Sequence, residues 1–245
     1  MKTCNPYFIK IIESIVLNYK SWILYLVCST IICDGSFLLG LVSFLYTYLA
    51  CYAGHYLMHI DFFYCNMYSL SHCHHHVNNE TTGYLMNCIT EFLTLANNIV
   101  LKYVLNEFEI VDLFFIQPPM IFFLYFIYTT VHNINYGIFH VNEYHEIHHA
   151  LPITNIGPDF YDLLFGSKNE KTQKSENIDH YIPNTLFAFI LVMLGKELYK
   201  ENSSVMNILF WISWVLLSSV VFAFSLYILF MNIREKLTPI QTHIQ

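Results

Sequence analysis

Histidine is concentrated in one part of this chain, at spacings that suit metal binding. Of 13 histidines in 245 residues, 11 lie between positions 55 and 149. Residues three or four apart share one face of a helix, so clustered histidines can direct several imidazoles at one point. Imidazole nitrogen is a strong ligand for iron, zinc and copper. The clusters are His55-x-x-x-His59, His72-x-x-His75-His76 and His145-x-x-His148-His149, and His132 stands alone between the second and the third.

The number and type of these ligands predict two metal ions rather than one. A structural zinc ion needs about four ligands, and nine histidines are available in the three clusters and at position 132. In an HxxHH cluster the first and fourth residues share a face while the fifth points about 100° away, so one cluster can supply two metals. Nitrogen-rich sites suit iron, zinc or copper better than magnesium or calcium. Two redox-active metals beside apolar segments favour oxygen chemistry on a lipid.

The composition is that of a membrane protein. Hydrophobic residues make up 56% of the chain and charged residues 12%, with a mean hydropathy of +0.44, whereas a soluble domain carries about 25% charged residues. The net charge of −7 comes without a basic stripe, which argues against nucleic acid as a partner. Seven cysteines without a CxxC pair predict buried thiols rather than a disulfide framework.

Six apolar segments must position the histidines, and they come in pairs. The first is short and must borrow residues from about position 11 onward, and the fifth is short enough to be re-entrant. Pro118-Pro119 inside the fourth predicts a kink or a break. We expect an all-α integral membrane protein built from helical hairpins, with about four to six membrane segments. The segments are 22–33, 37–53, 84–104, 111–131, 185–194 and 205–231.

Paired segments place every histidine cluster on one side of the membrane, together with both chain ends. Of 11 basic residues, only Lys102, Lys196 and Lys200 fall on the opposite side. The positive-inside rule therefore predicts a cytosolic, histidine-rich cap over a di-metal site. The chain divides into an N-terminal lead-in with the first membrane segment (1–36), a histidine-bearing catalytic region (37–182), and a C-terminal membrane hairpin with a tail (183–245).

The order of the three clusters resembles that in the fatty acid hydroxylase/sterol desaturase superfamily. After the third cluster, the stretch Asn155-Ile-Gly-Pro-Asp-Phe-Tyr-Asp-Leu-Leu-Phe-Gly-Ser167 looks like the family's NYGxxxxxWDxxFGT. His132 resembles the isolated histidine that these enzymes carry between the second and third boxes. Ile156 and Tyr161 replace the usual tyrosine and tryptophan, and Tyr136 stands where some members place another histidine. The resemblance covers roughly residues 40 to 167.

The resemblance implies a non-haem di-iron membrane oxygenase of the endoplasmic reticulum. Such an enzyme uses O2 to hydroxylate or desaturate a lipid substrate, here a sterol or a fatty-acyl chain. Two iron ions would be the cofactors, and zinc could take their place in purified protein. Electrons would come from a separate donor such as cytochrome b5 and its reductase. The implied metal ligands are His55, His59, His72, His75, His76, His132, His145, His148 and His149.

The sequence leaves several alternatives. A histidine-rich membrane transporter or binding protein for zinc or iron is the other function that the clusters allow, although a carrier would be expected to place ligands along a path within the bilayer. His74 and His140 are either further ligands or outer residues, and Glu91 is either functional or a satisfied interior group. His180 and His243 are expected at the surface. Acidic residues that could orient the imidazoles are Glu143, Glu146, Asp159 and Asp162.

Overall fold

The chain forms a bundle of helices, and the residues that the structure describes contain no strand. The computed structural model describes residues 6–60, 67–77, 81–141, 144–169 and 175–237. A π-helical turn, Val131–Tyr136, continues α6, and a 3-10 turn, Asp179–Tyr181, precedes α9. The all-α fold expected from the sequence is confirmed for these residues. The helices are α1 (Pro6–Leu17), α2 (Tyr19–Ile32), α3 (Phe37–Met58), α4 (Met67–Val77), α5 (Thr81–Glu107), α6 (Pro118–Thr130), α7 (Tyr144–Ala150), α8 (Asp159–Phe165) and α9 (Ile182–Leu237).

Among the described residues, three helices are long and apolar enough to cross a membrane. They are Phe37–Met58, Thr82–Glu107 and Asp179–Arg234. A fourth candidate exists if the bent pair Phe8–Leu17 and Tyr19–Ile32 counts as one span. Many large apolar side chains on these helices face outward, which is the distribution expected of a surface in contact with lipid. The count of three takes the 56-residue helix Asp179–Arg234 as a single span.

The N-terminal segment joins the first apolar segment through a sharp bend rather than as one continuous helix. The backbone breaks at Asn18, and α1 and α2 meet at an angle of 75°. The Asn18 side chain donates to the backbone carbonyl of Glu176 at 2.8 Å and accepts from the amide of Ile178 at 2.9 Å. An asparagine side chain that bonds backbone groups elsewhere competes with helix continuation. As a result α1 turns aside and packs against α8, where Ser14 Oγ donates to Asp159 at 3.0 Å.

The fourth predicted segment, 111–131, forms a shorter helix than expected. α6 begins at Pro118, and its first two positions are both proline. Proline suits the first turn of a helix because the amide hydrogen that it lacks has no intrahelical acceptor there. The prolines therefore start this helix rather than bend it. α6 then passes into the π-helical turn that carries His132.

α9 folds back on itself. The backbone leaves helical geometry at Asn202, with φ −136° and ψ 39°. Before this break, Lys196 Nζ donates to Asp34 Oδ1 at 2.8 Å, at the C-terminal end of α2. After the break, Trp214 Nε1 donates to Asn97 Oδ1 at 3.1 Å, and later residues pack toward the start of α5. The two parts of α9 are thus antiparallel, and the second returns toward the end of the bundle where the histidines lie.

An aromatic core joins α2, α3 and α8. The Trp22 ring meets the rings of Tyr48 and Phe160 edge-to-face, with centroids 5.9 and 5.6 Å apart. Each such pair adds about 0.5–1.5 kcal/mol beyond the apolar area that it buries. α2 and α3 approach closely at Gly40, where a Cβ atom would lie 2.8 Å from the carbonyl carbon of Ser29. This packing fixes α3, which carries the first two clustered histidines.

Candidate metal centre

Seven of the nine histidines predicted as ligands form two compact groups. The first histidine group is His55, His59, His72 and His148, and all four side chains are buried. The second histidine group is His132, His145 and His149. Within each group, one ligand nitrogen per residue lies within 4.8 Å of all the others. The prediction that the clusters converge is confirmed for these seven residues.

The two groups are adjacent. The rings of His55 and His132, one from each group, are 6.5 Å apart between centroids. His148 of the first group lies 5.9 Å from His145 and 6.1 Å from His149 of the second, again between ring centroids. Two metal ions held by these groups would be close neighbours, which is the arrangement expected of a two-metal site.

The third cluster supplies both groups, as the sequence predicts, but the pairing differs from the expected one. The expected partners were His145 and His148, three residues apart, whereas His145 shares its group with His149. At 3.6 residues per turn, a residue four positions on is rotated by about 40° and one three positions on by about 60° in the other direction. The Nε2 atoms of His145 and His149 are therefore brought to 2.8 Å, and His148 faces the first group.

Three elements bring the first group together. His55 lies in the last turn of α3, and His59 is the residue that caps that helix. His72 comes from α4, which packs against α5 and α9, and His148 comes from α7. His75 and His76 belong to α4 by their backbone, but their side chains, like that of His74, lie outside the described residues. Their assignment as ligands stays a prediction.

Hydrogen bonds fix the tautomers in the first group. The Nδ1–H of His148 donates to the carbonyl of Thr154 at 2.9 Å. The Nδ1–H of His72 donates to Asn87 Oδ1 at 2.8 Å, because the amide group of Asn87 is already committed to Glu91 Oε1 at 2.8 Å. The Nε2 atoms of His72 and His148 therefore present lone pairs to the interior of the group, which is how metal-binding imidazoles are normally held.

Converging lone pairs fit a cation. His148 Nε2 lies 3.1 Å from His55 Nε2, and His72 Nε2 lies 3.2 Å from His59 Nε2. Buried acceptor atoms at such separations are stabilised when a metal ion lies among them. The donor set of the first group, four neutral imidazoles, therefore fits iron, zinc or copper.

Glu91 orients the second group. Its Oε1 atom accepts from His132 Nδ1 at 2.6 Å, and its Oε2 atom accepts from the Thr129 hydroxyl at 2.9 Å. Because Asn87 donates to the same carboxylate, one hydrogen-bonded chain runs from His72 through Asn87 and Glu91 to His132. Glu91 is thus a hydrogen-bonded interior carboxylate that links the two histidine groups.

Two residues of the site escaped the sequence analysis. Asn87 is described above, and the Tyr128 hydroxyl lies 2.5 Å from His55 Nδ1. The sequence contained a signal for both residues. Each stands four positions before a charged side chain or a candidate metal ligand, and therefore on the same face of its helix. Asn87 precedes Glu91 and Tyr128 precedes His132. Polar side chains at helical spacing inside apolar helices mark an interior polar face.

The stretch after the third cluster forms a tight loop that holds Thr154 in place. Asp162 accepts from the amides of Ile156 and Gly157 at 3.0 and 2.8 Å and from the Ser167 hydroxyl at 2.6 Å. Asn155, with φ +49°, donates its amide to the carbonyl of Ser167 at 2.9 Å. Asp162 could have oriented an imidazole directly, but the structure shows that it orients the loop whose Thr154 carbonyl fixes His148.

Other polar residues near the clusters lie outside both groups. Asp159, the other aspartate that could have oriented an imidazole, bonds Ser14 and Lys168 instead. His140 is exposed and pairs with Glu146 at 3.4 Å, so neither residue contacts the groups described. His180 was expected at the surface, but it is partly buried against Tyr136 and Tyr181. Glu143 and His243 lie outside the described residues.

Burial keeps the histidines neutral. It lowers the pKa of His59 and of His149 from the ordinary 6.5 to about 4. The same cause, followed by neighbouring histidines, holds the pKa values of His72 and His148 well below 6.5. Neutral imidazoles are the form that binds metal. His59, His72, His148 and His149 are therefore in their ligating form at neutral pH.

We expect the metal-free protein to lose stability as the pH falls from 6.5 to about 4. Over this range the unfolded chain takes up protons on these histidines while the folded chain does not, so protonation favours unfolding. Thermal unfolding of chelator-treated protein across the range measures the effect. His149→Gln, which removes one such group, should flatten the pH dependence. An unfolding temperature that does not change with pH would contradict the prediction.

A cavity adjoins both histidine groups on the side of the bundle core. Its wall contains His55 from the first group and His132 and His145 from the second. Apolar side chains of α6 and its π-helical continuation, Leu124, Ile127 and Val131, form part of the same wall. The arrangement can bring an apolar molecule beside both groups while keeping bulk water away.

The chain matches no protein-family model, no curated protein and no solved structure. The geometry of the histidines and the adjoining cavity are therefore the observations from which a function for this chain is inferred.

Proposed function

We propose that this chain is a membrane-bound, non-haem di-iron oxidoreductase that hydroxylates or desaturates a lipid with O2. The observation that carries the proposal is the pair of adjacent histidine groups at the wall of a largely apolar cavity. The resemblance of the histidine boxes to the fatty acid hydroxylase/sterol desaturase superfamily supports the same reaction. A sterol or a fatty-acyl chain would be the substrate.

The residues of the site fit the iron pair that this proposal requires. His55, His59, His72 and His148 would hold one ion, and His132, His145 and His149 would hold the other, with His75 and His76 as further ligands. Bound iron would supply the activation of O2 and the oxidising power for an unactivated C–H bond. The two sites could equally take zinc in purified protein.

The protein itself contributes orientation and a dry environment. Asn87, Glu91 and the Thr154 carbonyl fix the imidazoles through Nδ1, so the Nε2 atoms need no rearrangement before a metal binds. The apolar side chains of α6 exclude water from the place where a substrate C–H bond would lie. Glu91 is hydrogen-bonded to His132 Nδ1, so its carboxylate could take or return a proton at that atom.

The helices support a membrane location, and the charges support a cytosolic orientation. The long apolar helices support insertion in a bilayer, with endoplasmic reticulum as the proposed compartment. The excess of lysine and arginine on the histidine side supports a cytosolic metal centre. A cytosolic site is accessible to a separate electron donor, for which cytochrome b5 and its reductase are the proposed partners.

Lipid profiling by mass spectrometry tests the function. Cells expressing wild type are compared with cells expressing a His148→Ala, His149→Ala double variant, which removes one ligand from each group. We expect a lipid found only with wild type, heavier than its precursor by one oxygen or lighter by two hydrogens. Equal lipid profiles, with a change in cellular zinc or iron instead, would identify a transporter and overturn the proposal.

A further inference from the structure

α1 is amphipathic, and its apolar face is exposed. The side chains of Phe8, Ile12 and Ile15 are 54%, 45% and 41% exposed. At 3.6 residues per turn, these three side chains lie within about 60° of one another around the helix. Ile9 and Val16 are also exposed and widen the same face to about 120°. We call Phe8, Ile9, Ile12, Ile15 and Val16 the apolar face of α1. A contiguous exposed apolar surface of this kind marks an interaction site.

The other side of α1 is fixed to the protein by hydrogen bonds. Ser14 is only 2% exposed and donates to Asp159 of α8. It stands two positions after Ile12, so its side chain points about 200° away from that of Ile12. Asn18, four positions further on, is buried and bonds the loop around residue 177. These contacts prevent α1 from rotating to bury its apolar face.

The length of α2 places α1 at the level of a lipid leaflet. α2 has 14 residues and is therefore about 21 Å long, which is shorter than the hydrocarbon core of about 30 Å. The end of α2 that is remote from α1 leads into the turn at Asp34, whose side chain is 84% exposed and pairs with Lys196. A charged turn belongs at the membrane surface. A helix of this length that starts at one surface ends inside the opposite leaflet, where the chain bends into α1.

The bend directs α1 along the plane of the membrane. α1 and α2 meet at 75°, and helices that cross a bilayer are tilted by about 20° from its normal on average. α2 packs along α3, a candidate span, and the two approach closely at Gly40. If α2 follows the direction of that span, α1 runs roughly parallel to the bilayer surface.

The neighbouring surface of α2 is apolar as well. Four exposed side chains stand one helical turn apart along α2, and the first of them follows directly after the break at Asn18. They are Tyr19, Ile23, Val27 and Ile31. A stripe of this kind on a helix at membrane depth faces lipid, and tyrosine is typical of the boundary between acyl chains and water. Lipid that covers this stripe therefore also reaches α1.

We propose that α1 lies in the plane of the bilayer, in the leaflet on the histidine side, with its apolar face among the lipid acyl chains. One apolar face and one polar face are the properties of an interfacial amphipathic helix. The proposal requires that the bundle is inserted in a membrane, but it does not depend on the proposed oxidation. Asn18 bonds the backbone of Glu176, and Glu176 lines the cavity beside the histidines. The helix that contacts lipid is thus joined directly to one wall of that cavity.

Fluorescence quenching in lipid nanodiscs tests the position of α1. Full-length Phe8→Cys, Ile12→Cys and Ile15→Cys are labelled with bimane, and wild type labelled in the same way gives the background from native cysteines. Lipids brominated at different positions along the acyl chain quench from within the bilayer, and iodide quenches from water. We expect brominated lipids to quench all three labels several-fold more strongly than iodide does. Glu13→Cys, an exposed position outside the apolar face, is the matched control and should show the reverse preference.

The depth profile along the helix distinguishes an in-plane helix from a membrane span. Phe8 and Ile15 are seven positions apart, which is about 10 Å along the axis of α1. An in-plane helix places both labels at the same depth, whereas a helix that crosses the bilayer separates their depths by most of that distance. Unequal depths would therefore overturn the proposal.

Two other results would also overturn it. If iodide quenches the label of Ile12→Cys as strongly as that of Glu13→Cys, the apolar face lies in water. If neither iodide nor brominated lipid quenches the label of Ile12→Cys, protein covers the apolar face, as in contact with a second copy of the chain. None of these readouts involves lipid oxidation, so the result stands apart from the lipid-profiling experiment.

Discussion

His148→Ala is expected to leave the purified protein with one bound metal ion instead of two, and to lower lipid oxidation by more than about 100-fold. His148 is fully buried, and its Nε2 atom faces His55 inside the first histidine group. Loss of an outer hydrogen-bond partner of a metal ligand already costs about 10–100-fold in affinity or activity, and loss of a ligand costs more. Metal analysis of purified protein, with product measurement by mass spectrometry, checks both parts.

The matched controls separate ligand loss from loss of histidine in general. His140→Ala removes an exposed imidazole outside both groups and should retain two metals and normal turnover. His149→Ala removes a ligand of the second group, so it should also leave one metal, and the double variant should bind none. If His148→Ala still binds two metal ions, His148 is not a metal ligand.

Glu91→Gln is expected to lower metal affinity by about 10–100-fold. The carboxylate accepts from His132, Asn87 and Thr129. The amide has the same shape but only one acceptor oxygen, so it cannot satisfy all three donors. The histidines of both groups lose orientation, because the chain of bonds from His72 to His132 passes through this residue.

Metal titration of chelator-treated protein measures this effect. Glu107→Gln changes a carboxylate on the same helix that is exposed, and its affinity should equal that of wild type. An equal affinity in Glu91→Gln would assign Glu91 to the packing of α5 and α6 instead. If the affinity falls for only one of the two metal ions, the hydrogen bonds that link the groups do not couple their metal affinities.

The histidine groups could be predicted from sequence because helical spacing fixes which side chains share a face. The His55-x-x-x-His59 spacing needs only one regular helix turn, and both residues do lie in one group. The pairing of His145 with His149 rather than with His148 depends on where the neighbouring helices lie. That information is absent from a single helix. Within one helix, residues three apart and residues four apart lie almost equally close to a common face. The contacts with neighbouring helices therefore decided that His145 pairs with His149.

The bonds to Nδ1 could not be predicted in detail for the same reason. The Thr154 carbonyl reaches His148 through a loop whose shape depends on Asp162 and on the positive φ angle of Asn155. Sequence showed that Asp162 was close in the chain to ligands but not whether it faced imidazole or backbone. Asn87 and Tyr128 come from helices distant in sequence from the imidazoles that they bond.

The break at Asn18 was missed although polar residues interrupt the apolar pattern there, at Asn18, Lys20 and Ser21. The first predicted segment is too short to span a membrane by itself, so residues before the interruption were included in it. The Asn18 side chain ends the helix because it bonds two backbone groups of the loop around residue 177. These bonds can be recognised only when the positions of α1 and of that loop are both known. Pro118-Pro119 was interpreted as a kink or a break because proline disrupts the interior of a helix. Both prolines lie in the first turn of α6, where proline is compatible with the helix.

The contacts of α1 determine when the pocket can close during synthesis. The bonds from Ser14 and Asn18 join residues 145 to 160 positions apart in the chain. Loops of that length give a high contact order and form slowly. α1 therefore waits for its partners until residues 159 to 178 have been made. Every histidine cluster is synthesised before that point, so this helix docks only after the segments that carry the histidines exist.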